Sequence, residues 1–226
     1  MEETQHLQLL YKNLIGTLMY IAVATRPDIM FAISYLSQFN DCYNEEHFKC
    51  AKRVLRYLKE TKSVGLTFKK TDNDLHRIAD ADWGSCKLDQ KSFSGYCYKY
   101  AGTCVSWMSK KQKSIALSTA ESEYIALTEA AKEAIHLKNL YKDLGANYER
   151  IVILNDNQAA LKLSQNSMVT SKSKHIDLKM HFIRDCIQEG AIEVKYLQTE
   201  DMEADHLTKA LPGPRLMKLR ISLGLH

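Results

Sequence analysis

The 226-residue sequence predicts an α/β fold: a mixed five-stranded sheet flanked by helices and preceded by a small, mainly helical segment. From about residue 75 onward, strand-like runs alternate with runs of helical periodicity, in the order three strands, helix, strand, helices, strand, helix. Before that point, apolar residues recur at helical spacing. The composition is 45% hydrophobic and 26% charged with three prolines, which indicates a folded chain and excludes a disordered one.

The first 72 residues are predicted to be helical, with a break at Arg26-Pro27. The residues expected to face inward are Leu9, Leu10, Leu14, Leu18 and Ile21 before the break, Ile29, Ile33 and Leu36 after it, and Cys50, Val54, Tyr57 and Leu58 on a third helix from Glu45 to about Lys62. A short strand is expected near Val64–Phe68. These elements make a thin core, so we expect the segment to pack on something else.

No bilayer span is predicted, because the longest uncharged apolar stretch lies between Lys12 and Arg26 and has 13 residues, fewer than the roughly 20 that a span requires. The six cysteines form no zinc-ligand pattern and are interpreted as free thiols in a reducing compartment. We therefore expect a cytoplasmic protein without a membrane partner.

The sheet region begins with a short strand that holds Ile78 and leads into Asp80. A hairpin follows, from Phe93–Tyr100 through a turn at Ala101-Gly102 to Cys104–Met108. The longest helix is expected from Thr119 to Leu144, with Ser118 or Thr119 as its N-cap. Its apolar residues are predicted to form one stripe: Tyr124, Leu127, Ala131, Ala134, Leu137 and Tyr141.

The second half of the sheet region starts at Ile151–Leu154, which is apolar throughout, as a strand covered on both faces should be. A helix to about Ser164, a helix over roughly Ile176–Glu189, a strand over Ile192–Leu197 and a helix around Asp205 follow. A basic tail ends the sequence.

Four acids are candidates for a metal site because of their positions: Asp80 and Asp156 at strand ends, Glu123 early in the long helix, and Asp205 at the start of the last helix. Sheet topology can bring strand ends together, and clustered carboxylates suit Mg²⁺ or Mn²⁺. Each acid singly also fits a turn, capping or helix-dipole role. Position alone does not separate these four from Glu121, Asp82 and Asp201.

A basic stretch between Gln90 and Ala120 contains five lysines and no acid: Lys91, Lys99, Lys110, Lys111 and Lys113. Such a pattern suits a phosphate backbone, but lysines also protect an exposed sheet edge. The net charge of +4 is too small to decide between them. We favour phosphate contact for Lys110, Lys111 and Lys113, which precede the Glu123 helix.

Motifs along residues 75 to 210 resemble the ribonuclease H of copia-type LTR retrotransposons. They are Asp80-Ala81-Asp82-Trp83-Gly84, Lys91-Ser92-Phe93-Ser94-Gly95-Tyr96, Ser106-Trp107, Lys110-Lys111-Gln112, Ser118-Thr119-Ala120-Glu121-Ser122-Glu123-Tyr124, Asp156-Asn157-Gln158-Ala159-Ala160, Lys174-His175-Ile176-Asp177 and Ala204-Asp205-x-x-Thr208-Lys209. Earlier segments resemble the end of the same family's reverse transcriptase: Ile15-Gly16-Thr17-Leu18-Met19-Tyr20, Thr25-Arg26-Pro27-Asp28 and Lys52-Arg53-Val54-Leu55-Arg56-Tyr57-Leu58.

The resemblance implies a ribonuclease H-like fold and a Mg²⁺-dependent endonuclease that cuts the RNA strand of RNA–DNA hybrids with two metal ions, Mn²⁺ being a substitute. The implied metal ligands and catalytic residues are Asp80, Glu123, Asp156 and Asp205. Asp80 is chosen over Asp82 because it directly follows the predicted strand. Glu123 is chosen over Glu121 because the family's acid precedes an apolar-Ala run, here Tyr124-Ile125-Ala126.

The expected partner is an RNA–DNA hybrid, together with the polymerase part of the same polyprotein. The residues expected to contact nucleic acid are Ser85, Lys110, Lys111, Lys113, Ser118 and Asn157. The expected divisions are a remnant of the reverse transcriptase thumb or connection region over 1–72, a ribonuclease H domain over 73–210 and a basic tail over 211–226. The resemblance also allows virus-like particles and the nucleus as locations.

Two departures from the family limit this expectation. The sequence contains no Tyr-x-Asp-Asp motif, so no polymerase activity is expected. Many ribonucleases H carry a histidine on a loop before the last Asp, but here no histidine lies between His181 and Asp205. The rival hypothesis is a catalytically silent connection or nucleic-acid-binding fragment of a decayed retrotransposon polyprotein, and the four carboxylates argue against it.

Overall fold

The computed structural model describes residues 2–69, 76–82, 86, 89–146, 148–165 and 174–226. The helices are α1 Glu2–Ala24, α2 Met30–Ser37, α3 Glu45–Glu60, α4 Thr119–Asp143, α5 Gln158–Gln165, α6 Lys174–Gln188, α7 Asp205–Thr208 and α8 Gly213–Ser222, with short 3₁₀ turns at Pro27–Ile29 and Thr199–Asp201. The strands are β1 His76–Asp82, β2 Phe93–Tyr100, β3 Thr103–Lys111, β4 Ile151–Asn155 and β5 Ile192–Tyr196. The predicted order of elements is confirmed.

The five strands form one sheet in the order β3-β2-β1-β4-β5. Strands β1, β2 and β3 are antiparallel, whereas β4 runs parallel to both β1 and β5. The predicted hairpin turn lies at Ala101 and Gly102, whose φ angles are 51° and 76°. Two successive positive φ angles are what a tight two-residue hairpin turn requires. The sheet is therefore mixed, as predicted.

Two hydrophobic cores cover the two faces of the sheet. On one face, α4, α5 and α6 pack on Tyr96 and Tyr98 of β2 and on the apolar residues of β4 and β5. The predicted inner stripe of α4 is confirmed, because Tyr124, Leu127 and Leu137 are all buried. On the other face, α1, α2 and α7 pack on Cys97 and Cys104. The helical start thus packs on the sheet itself.

The prediction for α1 was wrong for its first two positions. Leu9 and Leu10 are 56% and 43% exposed, whereas Tyr11, Ile15, Leu18 and Ala22 are buried. These four residues are spaced four, three and four apart and form one helical stripe. The predicted Leu18 belongs to this stripe, and the predicted Leu14 and Ile21 pack against the same core. The expected inward position of Cys50 was also wrong, since Cys50 is exposed and Ala51 is buried instead.

One segment of α1, Leu7–Ala24, meets the length and composition criteria for a membrane span, although a core helix or a signal sequence meets them too. Its outer face exposes Leu7, Tyr20 and Val23. Helix α1 is therefore buried along one stripe and exposed on its outer face.

A buried ion pair explains the Thr25-Arg26-Pro27-Asp28 motif between α1 and α2. The Arg26 guanidinium contacts the Asp28 carboxylate at 2.7 Å, and both side chains are almost fully buried. The Tyr57 hydroxyl of α3 donates to the same carboxylate at 2.7 Å, and Arg26 donates to the Thr61 carbonyl at 3.1 Å. The motif therefore joins the α1–α2 corner to α3.

The end of the chain folds back onto both the helical start and the sheet. Gly65 and His226 exchange two backbone hydrogen bonds, and the Leu223 carbonyl accepts from the Cys104 amide of β3 at 2.9 Å. The strand predicted near Val64–Phe68 is reduced to a single bridge between Leu66 and Leu225. Residues 211–226, predicted as a basic tail, thus contain a helix and buried leucines at 219, 223 and 225.

Candidate active site

The parallel pairing of β1 with β4 brings two of the predicted acids to one edge of the sheet. Ile78 lies opposite Leu154. Two residues after this pair are Asp80, which lies inside β1, and Asp156, which directly follows β4. Continuing the register therefore makes their backbones level with each other. Neighbouring strands are about 4.8 Å apart, so the two backbones approach closely here.

Asp80 was preferred to Asp82 because it was expected to follow the first strand directly, and that expectation was wrong. The choice of Asp80 itself stays a prediction. Strand β1 continues to Asp82, so Asp80 lies inside the strand and does not follow it. The register supplies a better reason. Continued from the pair of Ile78 and Leu154, it makes Asp80 level with Asp156 and leaves Asp82 two residues beyond that level.

Glu123 joins this edge through a hydrogen bond to the residue before Asp156. Its side chain is buried in the second turn of α4, and its Oε2 accepts from Asn155 Nδ2 at 2.9 Å. The Asn155 Oδ1 in turn accepts from the Asn157 amide at 2.9 Å. Asn155, which sequence reasoning missed, therefore fixes the Glu123 carboxylate beside the backbone that carries Asp156.

The competing acid Glu121 has a structural role at the start of α4. Its carboxylate accepts from the Leu117 amide at 2.8 Å, and its own amide donates to the Ser118 hydroxyl at 3.2 Å. Ser118 is thus the N-cap, as predicted. This arrangement leaves Glu123 as the acid of the motif that is directed toward β4.

Asp156 is partly exposed, and its Oδ2 accepts from the Thr199 hydroxyl at 2.9 Å. Thr199 follows β5, the strand beside β4. This contact holds one oxygen of the carboxylate from the neighbouring loop. Because the Asp156 side chain is partly exposed, its other carboxylate oxygen is accessible to a ligand from solvent.

Asp205 begins α7 and is 1% exposed. Its carboxylate forms ion pairs with Arg215 of α8 and with Lys209, whose ammonium is 2.6 Å away. Helix α7 packs against β1 and β2, and a Cβ added at Gly95 would lie 2.6 Å from Leu207 Cβ. Gly95 pairs with Asp80. The absent side chain at Gly95 therefore lets α7 approach the strands at the level of Asp80.

His206 does not fill the role of the missing family histidine. It is buried, and its Nδ1 contacts the Glu203 carbonyl. Burial lowers the pKa of His206 to about 4, so the ring is neutral at neutral pH. A buried, neutral ring in the α7 core does not exchange protons with a bound substrate.

The residues predicted to contact nucleic acid fall into different environments. Lys110 and Lys113 are exposed, and Ser85 lies outside the described residues. Lys111 is partly exposed, and its ammonium lies 2.8 Å from the Asp89 carboxylate and 2.6 Å from Gln38 Oε1 of the helical start. The Asn157 Oδ1 accepts from the amides of Ala159 and Ala160 at 2.9 and 3.0 Å and so caps α5.

The donor set suits a divalent cation of the Mg²⁺ or Mn²⁺ type, since all four predicted ligands are carboxylates. Asp80, Glu123 and Asp156 share the β1–β4 edge. Asp205 belongs to α7 and already has two cationic partners. Among the side chains that the structure describes, which do not include that of Asp80, no three acids, histidines or cysteines are grouped as a metal site.

Two transposon polyproteins are similar to almost the whole chain. The retrovirus-related Pol polyprotein from transposon TNT 1-94 of Nicotiana tabacum is 39% identical over 216 residues, which are 96% of this chain and 16% of that protein. The corresponding polyprotein from transposon RE1 of Arabidopsis thaliana is 38% identical over 217 residues, 95% of this chain and 15% of that protein. The chain belongs to the retrovirus-related Pol polyproteins of transposons. The resemblance found in the motifs is confirmed.

The chain spans about one-sixth of the length of those two relatives. No family model matches it. Among solved structures, the foamy viral protease-reverse transcriptase dRH in complex with double-stranded DNA aligns with a TM-score of 0.52 at 12% identity, over 84% of this chain and 32% of that chain. A ribonuclease H1 isolated from compost, LC11-RNase H1, aligns with a TM-score of 0.47 at 14% identity, over 60% of this chain and 93% of that chain. The predicted α/β class, a mixed five-stranded sheet flanked by helices, is confirmed by the strand order and the element order of the chain itself.

Proposed function

We propose that this chain is a Mg²⁺-dependent endonuclease that hydrolyses the RNA strand of RNA–DNA hybrids, as part of a transposon reverse transcriptase. The observation that carries the proposal is the β1–β4 register, which sets Asp80 level with Asp156, next to the hydrogen bond between Glu123 and Asn155. Membership of the transposon Pol family supports the same activity. The two curated relatives are several times longer, so other segments of such polyproteins supply any polymerase activity.

Asp80, Glu123 and Asp156 would hold divalent metal at the sheet edge, and Asp205 is the proposed fourth ligand. Two such ions, held by these carboxylates, would supply an activated water and would stabilise the leaving oxygen of a phosphodiester. Asn155 holds the Glu123 carboxylate in place by donating to its Oε2. Thr199 does the same for Asp156 by donating to its Oδ2. These fixed orientations lower the cost of assembling a cluster of like charges.

Arg215 and Lys209 neutralise the Asp205 carboxylate. We propose that these two cations permit a fourth acid to be buried near the other three. A buried carboxylate without a counter-ion is strongly disfavoured. Lys209 and Arg215 are about one-third and two-fifths exposed, which leaves their ammonium and guanidinium groups access to solvent when the carboxylate binds metal.

The substrate contacts follow from the same edge of the sheet. Lys110 and Lys113 are exposed where β3 ends, and β3 ends beside the start of β2 and the end of β1. We propose that they contact backbone phosphates of the hybrid. The side-chain oxygens of Ser118 and Asn157 accept from backbone amides at the starts of α4 and α5. We propose that these two residues contribute to hybrid binding through the backbone groups that they position there.

The direct test incubates the chain with a labelled RNA–DNA hybrid and Mg²⁺. Wild type is expected to cut only the RNA strand, and Asp156→Asn is expected to be inactive because a neutral amide binds the cation poorly. Two matched pairs of variants test the choice of ligands. Asp80→Asn should abolish cleavage, whereas its control Asp82→Asn should still cut the hybrid. Glu123→Gln should abolish cleavage, whereas its control Glu121→Gln should still cut the hybrid. Asn155→Ala should lower activity by about 10- to 100-fold, the usual loss when a group that orients a ligand is removed.

Failure of the wild-type chain to cut the hybrid, while it still binds it, would contradict the proposal and favour the silent binding fragment. Cleavage of double-stranded DNA in place of the hybrid would favour a different nuclease on the same fold. Replacing Mg²⁺ by Ca²⁺ separates the two steps, because binding should persist without cleavage.

A further inference from the structure

A groove lined by lysines lies between the end of β3, the middle of α4 and the start of α6. Its volume is about 330 Å³. Five lysines line it, together with one acid, Glu129. They are Lys110, Lys111 and Lys113 at the end of β3, Lys132 of α4 and Lys179 of α6. Lys132 and Lys179 are 22 and 69 residues from Lys110 in sequence, so the basic stretch alone did not indicate them.

The positive charge in this groove is only partly compensated. Lys111 is paired with Asp89, and Lys132 is paired with Glu129 at 2.8 Å. Within the described part of the chain, the ammonium groups of Lys110, Lys113 and Lys179 have no hydrogen-bond or ion-pair partner. Burial lowers the pKa of Lys179, and the neighbouring Lys132 ammonium lowers it further, although Glu129 opposes both effects. An anion in the groove would relieve this repulsion.

The groove is rigidly connected to the proposed active site through Gln112. The side-chain amide of Gln112 donates from its Nε2 to the Ser94 hydroxyl at 2.8 Å and to the Ser122 carbonyl at 2.9 Å. Ser122 directly precedes Glu123 on α4. Ser94 pairs with Ala81 of β1, and the next pair is Gly95 with Asp80. The groove therefore begins one strand away from Asp80 and shares α4 with Glu123.

We infer that this groove binds backbone phosphates of a nucleic acid that also contacts the β1–β4 edge, where the predicted metal ligands lie. Lys132 and Lys179 are then phosphate contacts. The inference rests on the proposed function for the identity of the nucleic acid, an RNA–DNA hybrid. Regularly spaced phosphates suit several ammonium groups that converge from three elements, because each contact neutralises one phosphate and releases a counter-ion. The contacts go to the backbone and carry no sequence preference.

The test measures the affinity for a fluorescein-labelled RNA–DNA hybrid of 20 base pairs over a range of salt concentrations, with Ca²⁺ in place of Mg²⁺. The variant is Lys132→Gln with Lys179→Gln. Its matched control is Lys59→Gln with Lys142→Gln, which removes two exposed lysines from the last turns of α3 and α4. Both doubles lose the same net charge, so long-range attraction falls equally in the two.

The groove variant is expected to bind the hybrid roughly 10-fold more weakly than the control. Its plot of log affinity against log salt should be shallower by about 1.4 to 1.8, which is 0.7 to 0.9 for each lost phosphate contact. Lys132→Arg with Lys179→Arg should restore the wild-type slope, because a guanidinium also binds phosphate. Equal slopes in the groove variant and the control would overturn the inference.

The outcome is independent of whether the chain cuts RNA, since the readout is binding. If the wild type binds but does not cut, the proposed function fails and the groove is still tested by the salt slopes. If the wild type cuts, the groove variant should raise KM and leave kcat within about 2-fold. A fall in kcat with unchanged KM would contradict a role in binding.

Discussion

At the scale of single residues, the Lys110-Lys111-Gln112 motif places three consecutive polar side chains in three different environments. Lys110 is exposed in the lysine groove. Lys111 also lines the groove, but it is only 21% exposed and its ammonium joins Asp89, near the start of the hairpin, to Gln38 of the helical start. Gln112 is buried and joins β2 to α4. The motif therefore combines one candidate substrate contact with two structural crosslinks.

Asp28→Ala tests the buried ion pair of the α1–α2 corner. Removing the carboxylate leaves Arg26 buried at 5% exposure without its counter-ion. The expected loss is about 3–5 kcal/mol in the free energy of unfolding. Urea denaturation followed by circular dichroism measures it.

The control for this prediction is Asp41→Ala, which breaks an exposed pair with Lys12 at 2.6 Å. An exposed pair contributes only about 0–1 kcal/mol. Similar losses in the two variants would show that the Arg26–Asp28 pair does not stabilise the corner.

At the scale of elements, the position of α7 depends on the glycine of the Ser94-Gly95-Tyr96 motif. A Cβ at position 95 would lie 2.6 Å from Leu207 Cβ and 3.0 Å from Thr208 Cγ2, both on α7. Helix α7 has only four residues and carries Asp205. Its placement is therefore determined by packing against β2, because so short a helix has little stability of its own.

Gly95→Ala is expected to displace α7 and to lower the free energy of unfolding by about 1–3 kcal/mol, the usual cost of overpacking a core. Cleavage should fall as well, because Asp205 moves with the helix. Urea denaturation and the hybrid cleavage assay measure the two effects.

Gly16→Ala provides the contrasting glycine. It lies within α1, and an added Cβ would meet nothing within 4 Å. Alanine is favoured over glycine in a helix by roughly 0.5–1 kcal/mol, so this variant should be more stable than wild type. Equal stability of Gly95→Ala and wild type would contradict the close approach of α7.

Local pattern predicted the elements well where one signal dominated. The stripe of α4 and the tight turn at Ala101-Gly102 are examples, since only one helical face and one turn chemistry fit. It failed at the start of α1, where Leu9 and Leu10 are apolar but exposed. It also gave no sign that Lys111 contacts Gln38, which lies 73 residues earlier. Of the site, the sequence motifs predicted the acids, but the hydrogen bonds of Asn155 and Thr199 depend on which strands are neighbours.

At the scale of the whole molecule, the predicted divisions at residues 72 and 210 do not coincide with separate cores. Leu223 of the last segment, Leu18 of the helical start and Cys104 of the sheet belong to one hydrophobic cluster. Arg215 extends the connection by pairing with Asp205. Packing thus couples the candidate site to both ends of the described chain.

Deletion of residues 213–226 tests this coupling. It removes three buried leucines, each worth about 1.5–3 kcal/mol, and the sum approaches the whole stability of a typical domain of 5–15 kcal/mol. We expect the shortened chain to be largely unfolded, which circular dichroism and thermal denaturation would reveal.

Lys218→Gln is the control, because it removes a basic charge at an exposed position of α8 and leaves the leucines in place. Its stability should lie within about 0.5 kcal/mol of wild type. A deletion variant with an unchanged melting temperature would mean that residues 213–226 act only as a basic tail.

The bridge between Leu66 and Leu225 also sets an order of events during translation. The two residues are about 160 positions apart, and the helices before Leu66 leave the ribosome first. At about 5–20 residues per second, these helices wait roughly 8 to 30 s before the residues that complete their core are synthesised. During that interval the buried stripe of α1 faces solvent, so the nascent chain passes through a stage that is prone to aggregation and suited to chaperone binding.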